Sequence, residues 1–212
     1  EATIRKAQAA GIKEVMLTSN GEDLPSFKKL LGGGEEFGLK IIYAAQDGSK
    51  GIAHALGLAE KFAKNSKVAV MLGDNIFTNH DQIKKGVANF VKSKGAKFFL
   101  KEVPDPERFG IAHVTGSKIN SIVEKPRRPR SNLAVTGFYL YDPDVFEIVK
   151  NLKPSKRGEL EITDVNNHYV ELGLAKCEIV DGEWIDAGTF DSLVYASMLM
   201  LKKQKDYPLE LG

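Results

Sequence analysis

Two carboxylates stand where metal or phosphate chemistry would need them. Asp74 follows Leu72-Gly73 at the end of the apolar run Val68 to Leu72, and Asp186 follows Trp184-Ile185 directly before Ala187-Gly188-Thr189. In open α/β sheets the carboxyl ends of the strands border the ligand crevice. A carboxylate there suits Mg2+, which takes one or two carboxylates together with phosphate oxygens. Each acid has a second reading. Asp74 is equally well placed to cap a turn or the helix that follows, and Asp186 to lead into a helix whose N-cap is Thr189. The two lie far apart in the chain and form one site only if the fold joins their strand ends.

Other segments offer cations and amides. Glu124-Lys125-Pro126 closes a further strand. Pro126 drives Lys125 toward an extended backbone, and the ammonium can aim a point charge at phosphate, although a solvated surface lysine is the simpler reading. The stretch from Lys125 to Arg130 is basic but short and interrupted by two prolines, which fits an exposed loop rather than a nucleic-acid arm. Arg157 to Asp164 opens a helix. Arg157 presents a planar fork for phosphate or carboxylate, Glu159 can accept sugar hydroxyls, and Glu161 and Asp164 are read as acids favoured at a helix N-terminus. Between Ala45 and Ala53 a strand passes through a Gly-rich turn into a helix. Gly48 and Gly51 allow close backbone approach, the helix start offers free amides, and the Gln46 amide can bond a base edge. The spacing is not that of a Walker A loop. His54, His80, His113 and His168 are scattered without metal-ligand spacing, and Cys177, the single cysteine, reads as a packing residue in an apolar strand.

The elements that must position these groups alternate. A helix over Ala2–Ala10, closed by Gly11, precedes strands at Glu14–Ser19 and Lys40–Ala45. Ile52, Ala55, Leu56, Ala59, Phe62 and Ala63 fall on one helix face. Lys67–Leu72 reads as a strand that is apolar from Val68 onward, which predicts burial on both faces of a parallel sheet. Ile83, Val87, Phe90 and Val91 mark the next helix, and Phe98–Val103 the next strand. This alternation predicts a doubly wound α/β sheet. After Pro104 the pattern changes to strands at 110–114, 118–123 and 134–140, then helices around 145–152 and 162–172. A short strand carrying Trp184 and Asp186 follows, and then a last helix with Phe190, Leu193, Val194, Ser197, Met198 and Leu201 on one face. The second half is expected to be α+β, packed on the first sheet.

Composition sets the outer limits. The 212 residues are 42% hydrophobic and 27% charged, as in ordinary globular proteins, and a net charge of +2 gives no reason to invoke nucleic acid or an anionic membrane as partner. No apolar run approaches the ~20 residues of a membrane-spanning helix. One cysteine excludes an internal disulfide, and a cytoplasmic setting is expected.

Taken in order, Leu72-Gly73-Asp74-Asn75-Ile76-Phe77, Asp105-Pro106-Glu107-Arg108-Phe109-Gly110, Glu124-Lys125-Pro126, Ser131 to Gly137, Arg157 to Asp164 and Trp184 to Thr189 resemble the glucose-1-phosphate thymidylyltransferases, a group of sugar-phosphate nucleotidyltransferases. The likeness covers nearly the whole chain. It implies a Rossmann-like nucleotidyltransferase fold: a mixed, mostly parallel sheet with flanking helices and an α+β sugar-binding portion. It also implies a reaction in which glucose 1-phosphate attacks the α-phosphorus of dTTP, giving dTDP-glucose and pyrophosphate. By the resemblance, Asp74 and Asp186 bind Mg2+, and Asp74 also borders the nucleotide. Gln46 and Gly51 hold the thymine. Gly110, Glu124, Lys125, Val135, Arg157 and Glu159 form the sugar-phosphate pocket, with Lys125 and Arg157 on phosphate and with Glu124, Glu159 and the backbone of Gly110 and Val135 on sugar hydroxyls. Asp74, Lys125, Arg157 and Asp186 are the implied catalytic set. A homo-oligomer is a further expectation. Alternatives are a UTP-using uridylyltransferase and a non-catalytic sugar-nucleotide-binding fragment.

Two departures from the family pattern matter. Phe109 stands where many relatives have Tyr. The family's opening strand, its Gly-Gly-x-Gly-Thr-Arg loop and the Pro-Lys-x-Leu-Leu-Pro segment have no counterpart here. The expectation is therefore a single domain over 1–212, N-terminally incomplete for catalysis, with 1–103 on the nucleotide and 104–212 on the sugar phosphate. Such a domain would have unpaired strand edges where a central strand is lacking. The end of the chain soon after the last helix predicts a short form without a C-terminal effector region.

Overall fold

The computed structural model describes residues 2–116 and 118–204. The chain runs α1 (Ala2–Ala9), β1 (Glu14–Ser19), α2 (Leu24–Leu31), a 3-10 turn (Glu35–Phe37), β2 (Lys40–Ala45), α3 (Ile52–Leu58), α4 (Glu60–Ala63), β3 (Val68–Met71), β4 (Asn75–Phe77), α5 (His80–Phe90) and β5 (Ala96–Glu102). A second 3-10 turn (Pro106–Arg108) leads to β6 (Gly110–Thr115), β7 (Lys118–Glu124), β8 (Leu133–Tyr141), α6 (Val145–Asn151), α7 (Ile162–Glu171), β9 (Ala175–Ile179), β10 (Trp184–Asp186) and α8 (Phe190–Gln204). The amphipathic pattern over 52–63 is divided at Ala59, whose amide bonds back to Leu56 in a tightened turn. No described helix is long and apolar enough to cross a membrane.

The strands form one mixed sheet and two small pairs. The main sheet has the order β7-β6-β8-β5-β9, with β3 also on β8. β8 is its centre, and every residue from Ala134 to Tyr141 is buried. A strand this apolar must be covered on both faces. α3, α6 and α7 pack on one face, around Phe98, Tyr139, Tyr141, Val145, Val165 and Tyr169. The other face carries Phe77, Ile83, Phe90, Phe99 and Phe138.

The α/β sheet with flanking helices is present, but its strand sense differs from the expectation. Among the described strands, only β1–β2 and β5–β9 are parallel, while β10–β4, β3–β8, β5–β8, β6–β7 and β6–β8 are antiparallel. The cause is β8. It returns from the second half of the chain and pairs antiparallel with β3 and β5 of the first half, so strands from before and after residue 104 share one sheet. β3 is correspondingly not a strand buried in a parallel sheet: it is antiparallel to β8, and Ala69 is exposed. Among the described strands β1 and β2 pair only with each other, over a separate small core of Ile4, Leu31, Phe37, Leu39 and Ile41.

The last helix also differs from its pattern. Phe190 is 80% exposed, and Leu193, Val194, Met198 and Leu201 are exposed as well, while Ala196 is buried. Periodicity identifies a helix; it does not say which stripe meets the core.

Phe138 should be the most sensitive core position of β8. It is fully buried, stacked on Phe99 at 5.1 Å and edge-on to Phe77 at 6.2 Å. Phe138→Ala is expected to lower the unfolding free energy by about 3–5 kcal/mol, read from the guanidinium midpoint. A loss below about 1 kcal/mol would contradict the packing described.

Candidate active site

The three-residue strand β10 lies antiparallel to β4 with Asp186 opposite Asn75, and the Ala187 amide donates to the Asp74 carbonyl at 2.9 Å. That pairing joins the two distant acids. A Cβ on Gly188 would stand 3.3 Å from Asp186 Oδ1 and 3.8 Å from Asp74 Oδ2, so this glycine adjoins both carboxylates.

Asn75 braces the arrangement. It is 2% exposed. Its Oδ1 accepts from the Gly137 amide at 2.8 Å and from Trp184 Nε1 at 2.7 Å, and its Nδ2 donates to Asp74 Oδ1 at 2.9 Å. One amide thus ties β4 to the centre of β8, to β10 and to the Asp74 carboxylate. Asp74 Oδ2, on the Gly188 side, is not the oxygen that Asn75 holds. The motif around Asp74 was visible in the sequence, but the role of Asn75 was not, because two of its three partners, Gly137 and Trp184, come from remote segments.

Burial first, and then the Asp74 charge, raise the Asp186 carboxyl above its ordinary value, while Arg108, the Gly188 amide and Lys125 pull it down. The buried Tyr139 phenol is raised by burial and also by Glu124, Asp74 and Asp186. Asp186 lines a cavity of about 400 Å3 together with Glu107, Arg108, Lys125, Gly188 and Thr189. The ring of Phe109 meets Trp184 edge-on at 5.2 Å, beneath the Arg108 guanidinium. A depression of about 470 Å3 between β7 and α7, lined by Asn120, Asp164, Asn167 and His168 among others, shares none of these residues.

Lys125 is not extended, as the following proline had suggested. Its φ is +42°, and its amide donates to the Phe109 carbonyl at 2.9 Å. A left-handed backbone on a non-glycine residue costs roughly 1–3 kcal/mol and clusters at functional sites. Here the bond to Phe109 outweighs the local preference. Glu124 pairs with Gly110 across β6 and β7, and its Oε2 accepts from Thr163 Oγ1 at 2.6 Å. A Cβ on Gly110 would come within 3.1 Å of that oxygen. Val135 turns its side chain into the core, so only its backbone is available to a ligand.

The remaining candidates sit on a joined pair of loops. Gly51 has φ +90°, and a Cβ there would strike the Leu160 backbone. The Leu160 amide donates to the Lys50 carbonyl at 2.9 Å. Gln46 Nε2 donates to the Gly51 carbonyl at 3.0 Å and meets His54 Nδ1 at 3.2 Å, so its amide nitrogen is engaged within the turn. The Arg157 guanidinium bonds Glu161, which raises its pKa foremost, followed by Glu159 and Glu124. Lys6, which sequence reading passed over, is buried above the Phe77 ring. Its Nζ stands 3.4 Å from the Asn75 carbonyl, and burial lowers its pKa to about 8.

The chemistry of the donors fits a hard divalent cation. Two carboxylates adjoin one glycine, and their mutual repulsion already raises Asp186. No group of three or more His, Cys, Asp or Glu side chains gathers among the described residues. Two carboxylates with the other positions left to phosphate and water match the habit of Mg2+.

The sequence profile described as nucleotidyl transferase matches residues 1–203. The chain belongs to the nucleotidyl transferase family. It is 42% identical to the glucose-1-phosphate thymidylyltransferase of Neisseria meningitidis over 206 residues, covering 96% of this chain and 72% of that one. To the enzyme of that name from Mycolicibacterium smegmatis it is 38% identical, over 89% of this chain and 66% of the relative. A Bacillus anthracis protein assigned to the same activity and solved in complex with sucrose superposes with a TM-score of 0.89 at 43% identity, over 99% of this chain and 82% of that one. A UDP-glucose pyrophosphorylase solved with UDP-glucose gives 0.80 at 26% identity, over 94% and 85%.

Two outcomes test this geometry. Asn75→Ala leaves the Gly137 amide and Trp184 Nε1 buried without an acceptor, at about 1–3 kcal/mol each, so urea unfolding should show a loss of about 2–6 kcal/mol. Asp186→Asn should act in the opposite direction on the metal-free nucleotidyl transferase. Because the folded carboxyl titrates above its unfolded value, its favourable contribution is present below the ordinary carboxylate pKa and lost as pH rises through the raised one. Asp186→Asn should therefore melt above the unmutated protein at pH 7, and the gap should close toward pH 3. A gap that is constant with pH would contradict the assignment.

Proposed function

We propose that this nucleotidyl transferase joins dTTP to glucose 1-phosphate. A phosphate oxygen of the sugar phosphate bonds to the α-phosphorus of dTTP, the bond from that phosphorus to the α–β bridging oxygen breaks, and pyrophosphate leaves. The observation that carries the reading is the meeting of Asp74 and Asp186 at Gly188, with Asp186 and Gly188 lining one crevice with Lys125. The relatives at 38–43% identity that bear the thymidylyltransferase name support the same reaction.

Asp74 and Asp186 would hold Mg2+, which supplies charge neutralisation on the triphosphate. Lys125, fixed by its bond to Phe109, faces the sugar phosphate, and Arg157 adds a second cation. Glu124, oriented by Thr163, accepts from sugar hydroxyls, with Glu159 and the Gly110 and Val135 backbones beside it. Gln46 and Gly51 border the base. Two anionic substrates repel each other, so screening and in-line positioning are the main tasks left to the protein.

The uridylyltransferase reading draws on the UDP-glucose pyrophosphorylase likeness, at the lower identity of 26%. Uracil lacks one methyl group, worth about 1–3 kcal/mol in an apolar pocket.

The test is pyrophosphate release with Mg2+, glucose 1-phosphate and either dTTP or UTP. Turnover with dTTP should exceed that with UTP at least about tenfold, and Lys125→Gln should lower it about 100-fold or more. Mg2+ with dTDP-glucose should raise the melting temperature of the unmutated chain but not of Asp186→Asn. Neither turnover nor stabilisation would sink the reading.

A further inference from the structure

The acid that the sequence suggested was only a helix-entry residue has other work. Glu161 is the N-cap of α7, but its side chain makes no capping bond. Instead Oε1 accepts from Ser155 Oγ at 2.7 Å, from Arg157 Nε at 3.2 Å and from Arg157 Nη2 at 3.0 Å, while Oε2 takes Arg157 Nη2 at 2.8 Å. The Glu161 side chain is 15% exposed and that of Arg157 is 49% exposed. Every hydrogen bond described for Arg157's guanidinium uses the Nε–Nη2 edge, all on Glu161. The Nη1 side makes none among the described residues.

The backbone before Glu161 is pinned as well. Leu160 bonds Lys50 through its amide at 2.9 Å and accepts from the Ala53 amide at 3.3 Å. The Ser155 amide donates to the Glu159 carbonyl at 2.8 Å, closing the loop that carries Arg157. The carboxylate is thus a fixed post, while the guanidinium is a long, half-exposed arm. A guanidinium has two usable edges, so holding one on a post presents the other in a set direction.

We propose that Glu161 is the positioning residue of the sugar-phosphate site: it clamps one edge of Arg157 so that the other edge is presented to the phosphate of glucose 1-phosphate. The inference rests on the functional reading above and deepens it. Its physical basis is entropy. Ordering a rotamer-rich side chain on binding costs about 0.5–1.5 kcal/mol, and Glu161 meets that cost before the ligand arrives. The carboxylate does not cancel the phosphate attraction outright, because it occupies the far edge of the fork.

Calorimetric titration with glucose 1-phosphate tests this directly. Glu161→Gln keeps the shape and removes the charge, and should weaken binding about tenfold, with dTTP affinity changed less than about twofold. Arg157→Ala should weaken glucose 1-phosphate binding at least as much, and adding Glu161→Gln to it should cost nothing further, since the clamp then has nothing to hold. Ser155→Ala, which removes one bond from the carboxylate and no charge, is a milder variant that should lose about threefold. Unchanged or tighter binding by Glu161→Gln would overturn the proposal, as would losses that simply add in the double variant. If the unmutated chain binds dTTP and Mg2+ but not glucose 1-phosphate, the functional reading fails, and the positioning role with it.

Discussion

The site depends on one buried amide. Asn75 accepts from the Gly137 backbone and the Trp184 indole while donating to Asp74. The pair β4–β10 has only three residues on each strand; Phe77 and Trp184 pack it into the core beside Phe138, and the amide supplies the polar link to β8. Isolated two-stranded ribbons are at best marginal in water. The amide converts that weak pair into an extension of β8, the most buried strand of the molecule. Glycine at 137 is part of the same constraint, since a Cβ there would lie 2.6 Å from the Asn75 side chain. A buried polar group with every partner in place specifies a single geometry, because each alternative strands a donor or an acceptor.

What the brace holds is electrostatically uncomfortable. Asp74 and Asp186 both adjoin Gly188, and the raised Asp186 carboxyl registers both its burial and its neighbour. The Tyr139 phenol is raised by its burial and then by Glu124, Asp74 and Asp186. Lys125 and Arg108 line the same cavity, and Lys125 is held in a left-handed backbone by the Phe109 carbonyl. Concentrated like charge and strained backbone are features that a fold retains where a ligand will relieve them. A divalent cation and a phosphorylated substrate are the partners that match these signs.

Much of the secondary structure could be read from the chain. β1 and β2 have the bounds that their apolar, β-branched runs indicated, and the helices of the second half follow their spacing. The readings that failed concern relations between elements. The run at Val68–Met71 is apolar because it packs beside β8, yet the same run would serve a parallel sheet, and only the return of β8 makes it antiparallel. β4 is too short to carry a period. The apolar stripe of α8 is real as a pattern, but it faces outward.

For the site, residue type was legible and company was not. Asp74, Asp186, Lys125 and Arg157 stand out because carboxylates, ammonium and guanidinium at strand and helix ends are what phosphate chemistry uses, and those side-chain identities are fixed by the sequence alone. Which of them share a crevice is decided by long-range strand pairing. Asp186 reaches Asp74 through the β4–β10 ladder, Glu124 is turned by Thr163, and Arg157 is held by Glu161. Local preference reaches only a few residues along the chain, as the Lys125 backbone illustrates: Pro126 favours an extended residue before it, and one hydrogen bond to Phe109, which is remote in the chain, overrides that. The sequence determined the chemical groups and the segments that carry them. Only the tertiary structure decided their distances, because those are set by burial and hydrogen bonding between parts of the chain that are far apart in order.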